Sequence, residues 1–157
     1  MQWECVKEKG ECSHHSPKTR KELKMTNLLY TFNTNSSTLT SGSVIPLGSV
    51  GRKAGTALNL NGNGISVSQN GYYEINATFT VLPSVSEAVT IQLYEDGVAI
   101  QGAKATATTD AVTTIPLTAI IRKYCCHTTA NITAVLTTSL DSTTVDVSAS
   151  SVAVIKL

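Results

Sequence analysis

The stretch Gly71–Pro83, GYYEINATFTVLP, decides the fold class of this chain. Every second residue from Tyr73 to Val81 is apolar, and the residues between them are acidic, amide or hydroxyl side chains. A period of two is typical of an antiparallel strand that buries one face and leaves the other in water. Pro83 lacks the N–H that would continue the ladder, so it predicts the end of this strand.

Similar runs lie on both sides of this stretch. Residues 89–93 alternate and lead through Asp96-Gly97 into residues 98–100, and an Asp-Gly pair adopts the positive φ angles of a type I′ hairpin turn. Clear strands are also predicted at 111–124, 132–136 and 145–157, and weaker ones at 28–32, 44–47, 57–60 and 65–67. The pattern therefore predicts a single all-β domain of nine or ten strands without a helix.

The composition supports this class and excludes several functions. The 157 residues include 23 Thr and 16 Ser, and branched Thr side chains favour pleated, half-buried strands. A net charge of +1 argues against a dedicated nucleic-acid binder, which needs a basic surface. No apolar run approaches the ~20 residues of a membrane helix, and no secretory leader begins the chain. We therefore expect no nucleic-acid partner, no membrane, and synthesis in a cytoplasm without a signal peptide.

The charges are concentrated at one end. Residues 1–24 hold 10 of the 23 charged side chains and the only Trp, which divides the chain into a charged N-terminal arm (1–24) and a β domain (25–157). Two interpretations of the arm stay open. It either anchors the domain to a partner, or it is an upstream translation artefact with the natural start at Met25.

Residues 71–75, Gly-Tyr-Tyr-Glu-Ile, resemble the G-x-Y-x-[FI] strand of the jelly-roll superfamily shared by complement globular heads and tumour-necrosis-factor-like cytokines. The hairpin at 91–100 and the closing run at 151–157 are similar to further strands of that family, including its bacterial and phage branch. The resemblance covers about residues 27–157. It implies an antiparallel β-sandwich jelly roll that assembles as a homotrimer about a threefold axis.

If the trimer carries over, three tyrosines are candidates for the subunit interface. Tyr72, Tyr94 and Tyr124 fall on the face opposite the apolar residues of their strands. Aromatic side chains with one polar end are favoured at interfaces because they bury a large area. The alternative is that they are singly exposed surface residues, which need no special role.

The cysteines and histidines invite a metal or nucleophile interpretation. Cys5, Cys12, His14 and His15 lie in the arm, and Cys125, Cys126 and His127 follow a predicted strand. The x6 spacing of the first pair is not that of a zinc knuckle, and adjacent strand residues point to opposite faces. A cysteine nucleophile beside His127 also lacks a third orienting group. We expect free cysteines, no metal, no cofactor and no catalytic activity.

These observations together predict a structural and adhesive protein rather than an enzyme. The resemblance implies a trimeric virion component of a phage: a head fibre, a decoration protein or a tail-associated protein. Its arm would bind other virion proteins, and its loops would contact a host surface glycan or protein. A bacterial surface or spore-coat binding domain of the same fold is the alternative.

Overall fold

The computed structural model describes residues 26–125 and 129–157, together with the backbone of two short strands, β1 (Glu4–Cys5) and β2 (Cys12–Ser13). These two strands pair antiparallel, with Glu4 opposite Ser13. The other residues of the predicted arm, and Cys126 and His127, lie outside the described residues.

The described domain is an antiparallel sandwich of two sheets with eleven strands, one or two more than expected. The six-stranded sheet has the order β11-β8-β13-β3-β5, with β4 also on β13, and the five-stranded sheet has the order β10-β9-β12-β7-β6. The strands are β3 (Leu28–Asn33), β4 (Ser37–Thr40), β5 (Ser49–Ala54), β6 (Leu58–Asn61), β7 (Gly64–Val67), β8 (Gly71–Pro83), β9 (Glu87–Glu95), β10 (Val98–Thr109), β11 (Thr113–Lys123), β12 (Ala130–Thr138) and β13 (Thr144–Lys156).

The prediction of a β-sandwich is confirmed, and one expected strand is wrong. Residues 44–47 make only a single bridge, Val44 to Val135, while Ile45 and Leu47 are buried in the core. Apolar side chains there fill the space between the sheets without extended pairing. None of the described segments forms a helix long and apolar enough to cross a membrane.

The core lies between the two sheets and follows the alternation in the sequence. Strand β8 contributes Tyr73, Ile75 and Phe79, all fully buried, while its intervening residues face outward. Ile91 and Leu136 are among the fully buried side chains of the five-stranded sheet. Because each strand buries one face only, both sheets keep an outer face that is free for contacts with other molecules.

Two turns fix the geometry of β8 and of the β9–β10 hairpin. The Tyr73 hydroxyl donates a hydrogen bond to the Gln69 carbonyl at 2.8 Å and so holds the segment before β8 in place. Burial raises the pKa of the same hydroxyl to about 12. Asp96 and Gly97 both have positive φ, at 50° and 80°, as a type I′ turn requires. The hairpin prediction is therefore confirmed.

Candidate functional site

The two outer faces of the sandwich differ in chemistry. In the described residues, every exposed aromatic side chain lies on the outer face of the six-stranded sheet: Tyr30, Phe32, Tyr72 and Tyr124. We call this surface the aromatic face. The outer face of the five-stranded sheet instead carries a band of threonines, among which Thr90 and Thr106 share a hydrogen bond of 2.7 Å. The aromatic face is thus the better candidate for a contact with another protein chain.

One half of the aromatic face is built around an arginine. Strand β11 pairs with β8 so that Arg122 lies directly opposite Tyr72, and Tyr124 is the first residue after the strand. The Arg122 guanidinium carbon is 5.3 Å from the ring centre of Tyr72 and 4.7 Å from that of Tyr124. Both distances are within the range of a cation–π interaction. The structure therefore brings together two of the three tyrosines that were selected from the sequence.

The other half of the aromatic face comes from β3. Tyr30 and Phe32 stack with ring centres 6.3 Å apart, and they are 37% and 39% exposed. They face outward because Leu29 and Thr31 occupy the buried side of the strand. Sequence reasoning missed this pair. The signal was present in the alternation of β3, but a polar Thr on the buried side obscured which face is inside.

Tyr94 lies elsewhere. It belongs to β9 of the five-stranded sheet, is half-buried, and pairs with Thr133 of β12 and Ala99 of β10. Its side chain faces away from the core, as expected from the alternation of β9, but on the opposite outer surface from Tyr72. The three tyrosines therefore do not form one surface patch.

The cysteine prediction requires a correction. Cys125, in the turn after β11, is disulfide-bonded, so the expectation of free cysteines is wrong for this residue. The strand ends at Lys123, and the rule that strand neighbours point to opposite faces no longer constrains the residues of the turn. Cys5, Cys12, Cys126 and the histidines that were weighed as ligands have side chains outside the described residues.

Within the part of the chain that the structure describes, no group of three or more His, Cys, Asp or Glu side chains is placed to hold a metal ion. Two carboxylates of the described residues accept hydrogen bonds from backbone N–H groups. Asp96 accepts a hydrogen bond from the backbone of Asn131 at 2.8 Å, and Glu87 accepts one from the backbone of Leu140 at 3.1 Å. These contacts fix loops at the ends of the five-stranded sheet.

No protein-family model matches the chain, and no curated protein matches it in sequence. Solved structures do match its fold. Murine APRIL at pH 5.0 has a TM-score of 0.63 at 12% identity, with 84% of this chain and 99% of that chain covered. Eiger TNF from S. frugiperda has a TM-score of 0.56 at 8% identity, with 85% and 92% covered.

A viral protein is also among the similar structures. The PRD1 vertex protein P5 has a TM-score of 0.53 at 13% identity, with 85% of this chain and 98% of that chain covered. These likenesses extend over most of the described domain. They establish that the domain has the jelly-roll fold of tumour-necrosis-factor-like proteins, as the resemblance in β8 implied.

Proposed function

We propose that this chain is a non-catalytic structural and adhesive component of a phage virion, assembled as a homotrimer through its aromatic face. The observation that carries the proposal is the confinement of all exposed aromatic side chains of the described domain to one sheet face. A monomer gains nothing from four half-exposed aromatic rings on one flat surface, whereas a subunit contact buries them. The likeness to a vertex protein supports the virion role, because that protein combines this fold with a place in a particle.

The arrangement of the aromatic face suits a threefold ring. A closed ring of three copies uses heterologous contacts, in which each copy presents two different surfaces to its two neighbours. The aromatic face has two such groups: Tyr30 with Phe32 on β3, and Tyr72 with Tyr124 beside β8 and β11. Strand β13 separates the groups and presents small side chains, Ser151 and Ala153, between them. In this assembly the β3 group of one copy packs on the β8–β11 group of the next.

The threonine-bearing sheet and the loops then face outward. Three copies of each loop on one particle strengthen weak contacts with a host surface through multivalency. The N-terminal arm, if native, links the trimer to other virion proteins. The chain is made in the host cytoplasm and ends in the virion. Tyr94 belongs to the outward surface in this account rather than to the subunit contact.

The proposal is tested by the mass of charge-bearing variants in solution. Phe32→Lys places a charge in the centre of the proposed contact and should convert the trimer to monomer. Thr108→Lys adds the same charge on an exposed position of β10, on the other sheet, and should leave the trimer intact. Circular dichroism confirms that both variants fold. If the folded Phe32→Lys variant remains a trimer, the aromatic face is not the interface.

The virion location needs a separate measurement. Mass spectrometry of density-purified phage particles should detect peptides from residues 54–104, in stoichiometric amounts with other structural proteins. A peptide from before Met25 in the same particles would establish the arm as native. Particles that contain no peptide of the chain would refute the virion role, and this result would not bear on the fold or on the trimer.

A further inference from the structure

Three connections that cross from one sheet to the other meet at one end of the sandwich, and we call this end the loop end. Strands β8, β10 and β12 end there and β9, β11 and β13 begin there, since Thr109 lies opposite Glu87 and Val145 lies opposite Pro83. The connections are residues 84–86, 110–112 and 139–143. The strand orders β11-β8-β13 and β10-β9-β12 place these crossings side by side, with residues 84–86 in the middle.

Each connection presents one exposed aliphatic side chain. Val112 is 64% exposed, Val85 50% and Leu140 54%. Neighbouring strands lie about 4.8 Å apart, so three side chains on adjacent crossings lie within reach of one partner surface. Single exposed aliphatic residues are common, but several on adjoining loops form a patch that is typical of a contact with another molecule.

The loop that presents Leu140 is held by a buried carboxylate. Glu87 is buried, and its Oε2 accepts hydrogen bonds from the Leu140 backbone at 3.1 Å and from the Ser139 hydroxyl at 3.4 Å. The Thr138 hydroxyl donates to the Leu140 carbonyl at 2.9 Å. Burial of a carboxylate is unfavourable unless hydrogen bonds compensate for it, and here the compensating donors belong to this loop.

The other two connections are also braced by hydrogen bonds. The Thr109 hydroxyl accepts one from the Ala111 backbone at 3.0 Å and another from the Thr113 hydroxyl at 2.9 Å. The Ser84 backbone donates to the Thr144 carbonyl at 2.9 Å. Loops that are fixed before binding lose little conformational entropy when a partner docks, so the loop end is suited to recognition.

The charge at the loop end is acidic. Asp110 and Asp141 are exposed members of the connections, which contain no Lys, Arg, His or aromatic residue. The chain enters the domain at the opposite end, where Leu28 pairs with Ile155 near the end of β13. A tether through the arm would therefore leave the loop end free. Without aromatic rings the loop end lacks a stacking surface for a sugar, and its carboxylates repel an anionic membrane.

We infer that the loop end binds a protein surface that has an apolar centre and a basic rim. The aliphatic side chains pack on the apolar centre, and Asp110 and Asp141 face the basic rim. The inference rests on the adhesive function proposed above and specifies the loops and the partner chemistry for it. Binding requires no assembly, because all three connections belong to one chain.

The test is an amide NMR titration of the full chain with three synthetic amphipathic helical peptides. The first carries Leu on one face and Lys on both sides of it, the second has Glu in place of Lys, and the third has Ser in place of Leu. The Leu/Lys peptide should shift residues 84–86, 110–112 and 139–143, and the other two should bind at least about tenfold more weakly. Neutral phosphatidylcholine vesicles should not shift these residues; if they do, the loop end binds membranes instead.

Variants at exposed positions test the contact without disturbing the core. Leu140→Ser should weaken binding of the Leu/Lys peptide at least about fivefold, whereas Val98→Ser, at a 71% exposed position at the other end of the sandwich, should leave it unchanged. Asp110→Asn combined with Asp141→Asn should reduce the preference for Lys over Glu in the peptide.

Three results would each overturn the inference: no binding at roughly 1 mM peptide, shifts confined to other residues, or full binding by Leu140→Ser. The mass of the chain and of every variant is measured in parallel. A trimer that fails to bind refutes the loop-end contact alone, and a monomer that binds refutes the trimer alone.

Discussion

The buried hydroxyl of Tyr73 should contribute measurably to stability, and Tyr73→Phe isolates its effect. The ring is fully buried, and its hydroxyl donates to the Gln69 carbonyl at 2.8 Å. Phe keeps the ring and its packing, so the loss is limited to one buried hydrogen bond and its stranded acceptor. That loss is worth about 1–2 kcal/mol, which for a domain of this size lowers the melting temperature by roughly 3–8 °C.

The same substitution predicts a change with pH. Burial raises the pKa of Tyr73 to about 12 in the folded protein, against 10.0 for a free tyrosine. Its stabilising contribution is therefore complete below pH 10 and is lost as the pH rises towards 12, because the unfolded chain releases the proton first. Tyr73→Phe has no such titration, so the stability difference between the two proteins should shrink from pH 8 to pH 11.

Urea denaturation followed by circular dichroism measures both effects, at one protein concentration so that assembly does not bias the comparison. Tyr94→Phe is the matched control, because Tyr94 is half-buried and has no hydrogen bond from its hydroxyl in the described structure. It should match the unaltered chain within about 0.5 kcal/mol. Equal stability of Tyr73→Phe at neutral pH, or a difference that stays constant up to pH 11, would refute the reasoning.

Two further predictions concern the backbone. Gly48→Ala should lower the free energy of unfolding, measured by urea denaturation, by at least about 2 kcal/mol more than Gly62→Ala does. Both glycines have positive φ, but a Cβ at Gly48 would lie 2.2 Å from the Phe32 carbonyl oxygen, whereas a Cβ at Gly62 would have no atom within 4 Å. Equal losses would contradict the close approach. Gln92→Leu should lower the free energy of unfolding by about 1–3 kcal/mol and accelerate amide hydrogen exchange at residues 100–103. The reason is that the Gln92 side-chain amide donates hydrogen bonds to the carbonyls of Ile100 and Ala103 across the bulge of β10. Unchanged exchange there would show that the bulge holds without it.

The fold was predictable where apolar and polar residues alternate strictly along the sequence. Strand β8 has the predicted bounds because five buried apolar residues alternate with polar ones and Pro83 ends the run. Strands β4 and β5 were not predictable, because STLT and SVGRKA contain no fully buried side chain, only Leu39 of β4 packs partly against the core, and both strands pair with neighbours that have a clearer pattern. An edge strand with so few core-facing apolar residues leaves little periodic signal.

The candidate site depended on information that periodicity does not contain. The alternation of β11 places Arg122 on the outward face, but only the register of β11 against β8 brings it to Tyr72. The same limit explains Tyr94, which shares its outward orientation with Tyr72 but lies on the other sheet. The side of the strand to which a side chain points follows from the alternation within that strand, whereas the sheet to which the strand belongs depends on pairing with residues distant in the sequence.

Oligomeric mass tests the central claim most directly. Light scattering coupled to size exclusion on the full chain, at micromolar concentration, should give about 50 kDa, three times the 16.6 kDa of one chain. The trimer mass would support burial of the aromatic face between copies. A single species of 16.6 kDa would contradict the account, because four exposed aromatic rings on one face would then remain without the subunit contact proposed for them.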